Sequence, residues 1–285
     1  MPKYNLEFQP EERRRRDQLT RFLLGFGAIL LLLAVASTFA LQRGGFIDDL
    51  FDRTTVPYEA EPDPDAWDYE GSATFLLAGY NASLQNLRFA ILVQVELATQ
   101  ELYIIPLNPQ ALSRYRNQEV TLEQALRQGG MRALMAAAGD LTGAQIDRFV
   151  AANDAAFIRA VNNMGSVTVH LDSGIRFRGQ DFSLTLAQGT QRLQGDMLLR
   201  YFRYLGTLDE DPPMQQGHLM QTVLETFLTP QSAGSLEALE TRFGALSGIL
   251  NSDISVADFF ANRDIVLALL EQSDQITMQV RATYE

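Results

Sequence analysis

The chain of 285 residues is 46% hydrophobic and 20% charged, an ordinary balance that suits one medium-sized domain with a sizeable core. Its net charge is −12. Because much of the basic charge lies before Arg21, the remainder is more acidic still and lacks the basic face that nucleic-acid binding needs. The chain has no cysteine, which excludes disulfides and thiolate catalysis. A His-rich metal site or a Ser-His-Asp triad would depend on His170 or His218 alone.

The N-terminal region predicts a membrane anchor. Phe22–Leu41 is an uncharged stretch of about 20 residues, the length that a helix needs to cross the hydrocarbon of a bilayer. Arginines precede this stretch (Arg13–Arg16 and Arg21) and aspartates follow it, so we expect the tail of residues 1–21 to be cytoplasmic. The chain after the span would then lie outside the cell. A cleaved signal peptide is the alternative, although the apolar run is longer than the core of such peptides.

Residues 42–70 are rich in glycine, proline and acidic side chains, and this composition predicts an extracellular linker. The folded domain would occupy residues 71–285. Its first apolar runs are typical of strands, and the second and third are separated by a short polar turn that predicts a hairpin. These runs are Ala73–Gly79, Phe89–Leu97 and Glu101–Pro106.

Apolar residues between Leu122 and Ala138 then recur at helical spacing, and Gly129 and Gly130 interrupt them, so we expect two short helices. Asp154 is the predicted cap of the next helix. Further strands are predicted at 149–151, 167–171 and 276–282, and further helices at 193–205 and 215–228. Because helices and strands alternate, we predict a mixed β-sheet flanked by helices in a single α/β/α layered domain.

Arg176 and Arg178 flank Phe177 in a predicted strand. Alternate residues of a strand point to the same side, so both arginines would share one face. Two interpretations remain open for this face: it is an ordinary solvated surface, or it binds an anion.

No single motif carries a strong catalytic signature. The order of five segments, however, resembles the LytR-CpsA-Psr family of cell-envelope proteins, as does the combination of a short anchor with an outward domain. The segments are FLLAGYN at 75–81, ILVQVELATQELYIIP at 91–106, DRFVAANDAAFIRAVNNMGSVTVHL at 147–171, LQGDMLLRYFRYL at 193–205 and MQQGHLMQTVLETFL at 214–228.

The resemblance implies an enzyme that transfers a glycopolymer from a polyprenyl pyrophosphate carrier to peptidoglycan. Such an enzyme needs carboxylates that hold Mg²⁺ against the pyrophosphate, and arginines that neutralise the charge of the departing lipid phosphate. The family also encloses the polyprenyl chain in an apolar cavity between its sheet and helices.

The residues that would hold the metal are replaced here. Where the family has Arg-Ser-Asp before its second strand, this chain has Asn86–Arg88, so a cation takes the place of a carboxylate. Where the family has Pro-Arg-Asp after the hairpin, this chain has Asn108–Gln110. We therefore expect no Mg²⁺ cofactor. A neighbouring acid, Glu96, is the remaining candidate for a rearranged site.

The cationic groups are also reduced. Of two family arginines two residues apart, Arg203 matches the first and Leu205 replaces the second. In the following Arg-x-x-Arg-Gln element, Asp211 and Met214 stand at the arginine positions and only Gln215 agrees. The chain is thus identified as a divergent member of the family that lacks most of its catalytic residues, and whether it is an enzyme stays open, with a non-enzyme favoured.

The surviving polar residues Arg200, Tyr201, Arg203 and Gln215 are the predicted binding site for a phosphate headgroup. Three functions follow. The first is a catalytically degenerate domain that binds a polyprenyl-phosphate lipid, a cell-wall glycan or a partner protein beside the bilayer. The second is an active glycopolymer transferase with a rearranged site, and the third is a purely structural outer domain.

Overall fold

A computed structural model of the chain describes residues 71–84, 86–229 and 236–284. The predicted cytoplasmic tail, spanning helix and linker lie outside these residues. None of the helices in the described ranges has the length and apolar character needed to cross a membrane.

A six-stranded mixed sheet forms the centre of the domain, in the order β11-β6-β1-β2-β3-β12. β1 and β2 are antiparallel, as are β2 and β3, whereas β6 and β12 run parallel to their neighbours β1 and β3. The sheet strands are β1 (Ser72–Tyr80), β2 (Leu87–Glu96), β3 (Glu101–Leu107), β6 (Arg148–Asn153), β11 (Asn251–Ser252) and β12 (Thr277–Val280).

Helices cover both faces of this sheet, so the predicted α/β architecture is confirmed. One face packs on α1, and the other packs on α2 to α6. The helices are α1 (Leu122–Thr142), α2 (Asp154–Met164), α3 (Gly195–Leu205), α4 (Pro212–Phe227), α5 (Leu236–Ser247) and α6 (Val256–Glu271).

The central strands are buried on both sides, which explains why they read as continuous apolar runs rather than as an alternating pattern. In β1, Phe75 faces the core under α2 to α6, whereas its neighbour Leu76 faces the core under α1. Both side chains are fully buried. Each strand therefore contributes to two cores at once.

The helix boundaries agree with the sequence in part. α1 is one element with non-helical backbone at Gly129 and Gly130, which corresponds to the two predicted short helices. The cap of α2 is Asn153 rather than Asp154, since the Asn153 side chain accepts the hydrogen bond from the backbone N–H of Ala156. α4 begins at Pro212, three residues earlier than predicted.

A long β-ribbon lies between α2 and α3 in the chain and contributes buried side chains to the core. β7 (Val167–Leu171) pairs with β10 (Gly189–Leu193), and β8 (Ile175–Arg178) pairs with β9 (Ser183–Leu186), both antiparallel. The two pairs follow one another along the same two chain segments, with an irregularity at residues 172–174. We call this feature the ribbon. A separate short hairpin, β4 (Leu112–Tyr115) with β5 (Gln118–Thr121), precedes α1.

Candidate functional site

Arg88, at the start of β2, forms a two-pronged ion pair with Asp154, the first residue of α2. Its Nε and Nη2 atoms donate to the two carboxylate oxygens at 3.2 and 2.9 Å. The two side chains are 18% and 29% exposed, so the pair is sheltered from solvent, where such bidentate contacts are strongest. Arg88 stands where the family resemblance expects a metal-binding carboxylate. The nearby carboxylate is already held by a guanidinium, so these residues do not fit a Mg²⁺ ion.

Arg203, in the last turn of α3, is a largely buried cation whose positive charge is only weakly neutralised by a neighbouring acid. Its side chain is 15% exposed, and its nearest acid is Asp181 at 3.8 Å, itself 81% exposed. The guanidinium carbon lies 4.2 Å from the centre of the Phe182 ring, within cation–π range. Within the described residues, the Arg203 guanidinium donates no hydrogen bond to the protein.

The electrostatic surroundings of Arg203 favour an anion. Burial lowers the pKa of Arg203, and the positive charges of Arg88 and Arg200 lower it further, whereas the carboxylates of Asp154 and Asp181 act in the opposite direction. An arginine nevertheless keeps its proton in a protein. A charged guanidinium with free N–H groups and cationic neighbours is a suitable site for a phosphate oxygen.

The other predicted site residues lie around Arg203 in different environments. Arg200 is one turn earlier on α3, where its side chain donates to Asp196 at 2.8 Å and to the backbone oxygen of Ser183 at 3.0 Å. Tyr201 is partly buried and stacks on Tyr204, with ring centres 6.3 Å apart. Burial raises the pKa of Tyr201.

Gln215 and Gln216 have opposite placements on α4. Gln215, the residue predicted from the sequence, is exposed. Gln216 is only 4% exposed, and its amide donates to the backbone oxygens of Arg88 at 3.1 Å and Phe202 at 3.0 Å. Gln216 therefore connects α4 to β2 and to α3 at the point where the two arginines project.

An apolar cavity of about 110 Å³ lies between the sheet, α2 and α4. Phe89 and Phe157 line it, and both rings contact Phe202, at centre distances of 5.0 and 5.8 Å. The further lining residues are aliphatic and aromatic: Leu77, Val150, Val161, Met164, Met220 and Phe227.

The aromatic cluster and the charged cluster belong to the same three elements. Phe89 follows Arg88 directly on β2, Phe202 precedes Arg203 directly on α3, and Phe157 lies one turn after Asp154 on α2. Each charged residue therefore lies close in sequence to one of the three phenylalanines, two of which line the cavity.

The remaining family positions form a second, open groove. Asn108, Asp211 and Met214 line it together with the C-terminal residues of the chain. Asn108 uses its side chain to accept from the backbone N–H of Gln110. None of the residues 106–110 is acidic, so shifting the family match by a few positions would not restore a carboxylate.

Glu96 does not provide a substitute ligand. It lies eight residues beyond Arg88, at the opposite end of β2, which corresponds to roughly 26 Å along the strand. In the described ranges, no three His, Asp or Glu side chains approach closely enough to hold a metal ion. His170 and His218 are both exposed, on the ribbon and on α4.

Comparison with known proteins identifies the fold and the family. The described domain resembles a protein from Eubacterium siraeum DSM 15702 described as a transcription regulator, with a TM-score of 0.63, 16% identity, and coverage of 81% of this chain and 89% of that chain. TagV of B. subtilis matches with a TM-score of 0.59, 12% identity and coverage of 75% and 85%. TagT bound to LIIa-WTA matches with a TM-score of 0.55, 16% identity and coverage of 74% and 78%.

At these identities the structural matches establish the fold alone. No curated protein sequence matches the chain. The model of the LytR_cpsA_psr family, by contrast, matches residues 103–285, more than half of the sequence. The chain therefore belongs to the LytR_cpsA_psr family.

Proposed function

We propose that this chain is a membrane-anchored envelope protein whose outer domain binds a polyprenyl-phosphate carrier, or the glycan attached to it, without transferring the glycan. The anchor is supported by the apolar stretch Phe22–Leu41, and family membership supports a role in assembling the cell wall. The solved structure of TagT, which has a similar fold, shows that protein bound to LIIa-WTA.

The observation that carries the proposal is the position of Arg203 directly after Phe202, whose ring contacts Phe89 and Phe157 in the lining of the apolar cavity. A phosphate next to Arg203 would meet the free guanidinium, while the attached hydrocarbon could enter the cavity past Phe89 and Phe157. A carrier lipid has this combination of one anionic group and a long apolar chain.

The size of the cavity adds a requirement. At about 110 Å³ it is smaller than the roughly 150 Å³ cavity that accommodates benzene in an engineered protein. A polyprenyl chain of several units therefore needs α2 and α4 to move apart. Both helices line the cavity with apolar side chains, whereas Gln216 of α4 donates to the backbone of β2 and of α3. The opening therefore has to occur away from these two hydrogen bonds.

The absence of transfer is supported by the identity of the residues at the metal position. A transferase of this kind stabilises a leaving phosphate with a divalent cation and several arginines. Here Arg88 binds Asp154 instead, and Leu205 and Met214 supply no charge. Each missing charge donor costs about 3 to 4 kcal/mol of transition-state stabilisation in comparable enzymes, although such costs do not add for groups that act together.

The test is binding of a fluorescent polyprenyl monophosphate to the full chain in a neutral detergent. We expect Arg203→Gln to weaken binding by about 10-fold or more, because a hydrogen bond to a charged group contributes about 1.5 to 3 kcal/mol. Arg159→Gln, an exposed arginine on α2, is the matched control. Equal affinity of the two variants would contradict the assignment of Arg203.

A second measurement addresses catalysis. The full chain is incubated with a glycan-bearing polyprenyl pyrophosphate, peptidoglycan and Mg²⁺, and the released polyprenyl phosphate is quantified. We expect no release above the level without protein. Release that disappears in Arg203→Gln would instead establish an active transferase with a rearranged site.

A further inference from the structure

The turn at the tip of the ribbon lies against Arg203. It comprises residues 179–182, between β8 and β9, and we call it the flap. The guanidinium of Arg203 lies over the ring of Phe182, 4.2 Å from the ring centre. The carboxylate of Asp181 lies 3.8 Å from Nη2 of the same guanidinium. Two consecutive residues of the flap therefore supply the ring and the acid that cover Arg203.

Only side-chain contacts hold the flap against α3. The backbone N–H of Gly179 donates to the backbone oxygen of Phe182 at 3.0 Å, so this hydrogen bond closes the turn on itself. Within the described ranges, no hydrogen bond joins residues 179–182 to α3. The flap can therefore separate from α3 without leaving a backbone group unpaired.

The chain that follows the flap is fixed, whereas the flap itself faces solvent. The backbone oxygen of Ser183 accepts from the side chain of Arg200 at 3.0 Å, and Leu184 is buried in the core. The Asp181 side chain, by contrast, is 81% exposed. A movement of the flap is thus limited to the turn and leaves the strands of the ribbon in place.

Phe177 of β8 connects the flap to α3 through its ring. The ring centre lies 5.0 Å from that of Phe182 and 5.5 Å from that of Tyr204 on α3. An aromatic pair of this kind changes an equilibrium by about 2- to 10-fold beyond the burial of its area. Because Arg203 lies over Phe182, we expect Phe177 to influence Arg203 through the position of the flap.

We propose that the flap is an autoinhibitory lid that controls access to Arg203. In the closed position, which the structure shows, Asp181 is an internal anion beside the guanidinium and Phe182 covers it, so the side chain of Arg203 is 15% exposed. In the open position, an external anion replaces Asp181. The identity of that anion as a polyprenyl phosphate rests on the function proposed above, whereas the opening of the lid does not.

The first experiment measures how fast phenylglyoxal, a reagent for guanidinium groups, modifies Arg203 in the full chain in a neutral detergent, with no lipid ligand added. Peptide mass spectrometry gives the rate at each arginine. Arg88 is the internal reference, because its side chain is similarly sheltered, at 18% exposed, and it lies outside the flap. The ratio of the two rates separates a local opening of the flap from unfolding of the whole domain.

The diagnostic variant is Phe177→Ala. We expect it to raise the ratio by about 2- to 10-fold, the factor that an aromatic pair contributes. Phe260→Ala is the matched control, because it removes an exposed ring of α6 that also contacts another ring, and it should leave the ratio unchanged. Phe177→Leu retains most of the apolar volume and should raise the ratio in the same direction, so it answers the question even where the alanine variant does not fold.

The second experiment connects the lid to the ligand. The affinity for the fluorescent polyprenyl monophosphate is measured for the same variants. An anion binds only the open fraction of the protein, so the apparent affinity should rise by the same factor as the labelling ratio. If no variant and not the unmodified chain binds this lipid, the proposed function is wrong, and the labelling ratio alone decides whether the lid exists.

Two results would overturn the lid. One is a labelling ratio in both Phe177 variants that equals the ratio of the unmodified chain. The other is a raised ratio together with unchanged or weaker binding of the lipid, since Arg203 would then become accessible to the reagent without becoming available to the anion.

Discussion

Replacing Gln216 by leucine tests whether a buried amide organises the candidate site. The register between β1 and β2 shifts between Gly79 and Tyr80, so that Tyr80 pairs with Leu87, Gly79 pairs with Phe89, and Arg88 has no partner on β1. The backbone oxygen of Arg88 accepts from Gln216 instead, at 3.1 Å. Gln216 thus satisfies a carbonyl that the sheet irregularity leaves open.

The magnitude follows from the two hydrogen bonds. The Phe202 oxygen also accepts from the backbone N–H of Gly206 at 3.2 Å, so it keeps one partner in the variant. Losing the bond from Gln216 to this oxygen therefore costs what an ordinary hydrogen bond contributes, about 1 kcal/mol. The Arg88 oxygen would lose the partner that Gln216 supplies, and leaving a buried acceptor unsatisfied costs about 1 to 3 kcal/mol. Burial of the apolar leucine offsets part of this, and we expect Gln216→Leu to reduce the free energy of unfolding by about 2 kcal/mol.

The assay is chemical denaturation together with the melting temperature. For a domain of this size, 1 kcal/mol corresponds to about 2 to 4 °C, so the expected decrease is about 4 to 8 °C. Gln215→Leu is the matched control because the same substitution one residue earlier falls on the exposed side of α4, where changes usually stay within about 0.5 kcal/mol. Similar destabilisation by the two variants would refute the reasoning.

Three further predictions concern charge, volume and pH. Asp181→Asn removes the acid that lies 3.8 Å from Arg203. It should strengthen polyprenyl phosphate binding up to about fivefold in a titration, since charges about 4 Å apart in water interact by about 1 kcal/mol; weaker binding would contradict it. Ala160→Leu should fill the cavity that Ala160 lines. It should abolish lipid binding and leave the melting temperature unchanged. Ala133→Leu is the control, because Ala133 is buried in the other core and its replacement should lower the free energy of unfolding by about 1 to 3 kcal/mol. Burial raises the pKa of Asp253, so the folded state holds this proton more tightly, and the free energy of unfolding falls as pH rises from the ordinary aspartate pKa through the raised value. Burial also raises the pKa of Asp147, so Asp253→Asn should reduce that slope rather than remove it in urea titrations between about pH 3 and 7. An unchanged slope would show that Asp253 does not contribute to it.

The central sheet could be predicted because its strands carry a strong signal. β1, β2 and β3 are long apolar runs, and the turn between the last two is short and polar. The sequence did not predict four other strands. These are β4 and β5 of the short hairpin, and β9 and β10 of the ribbon. They have four or five residues each and are largely polar, with few buried side chains, so neither their length nor their periodicity separates them from loops.

The candidate site was harder to predict than the sheet. Arg203 was found through the resemblance, but its surroundings come from distant parts of the chain. Arg88 and Asp154 are 66 residues apart in sequence, and only the packing of α2 on the sheet brings them together. No spacing rule connects such residues.

The choice between Gln215 and Gln216 could have been made from the sequence. Gln216 precedes Met220, Val223 and Phe227 by four, seven and eleven residues, the spacing of one helix face, and all three are buried. Helical periodicity alone places Gln216 on the buried face of α4 and Gln215 outside that face.

The charge balance of the site bears on which carrier it accepts. Arg88 and Asp154 neutralise each other, so Arg203 is the main uncompensated cation of the site. A diphosphate would bring more negative charge than this single guanidinium can offset without a metal ion, whereas a monophosphate is a closer match. We therefore expect the chain to prefer a polyprenyl monophosphate, the form of the carrier that remains once a glycan phosphate has been transferred.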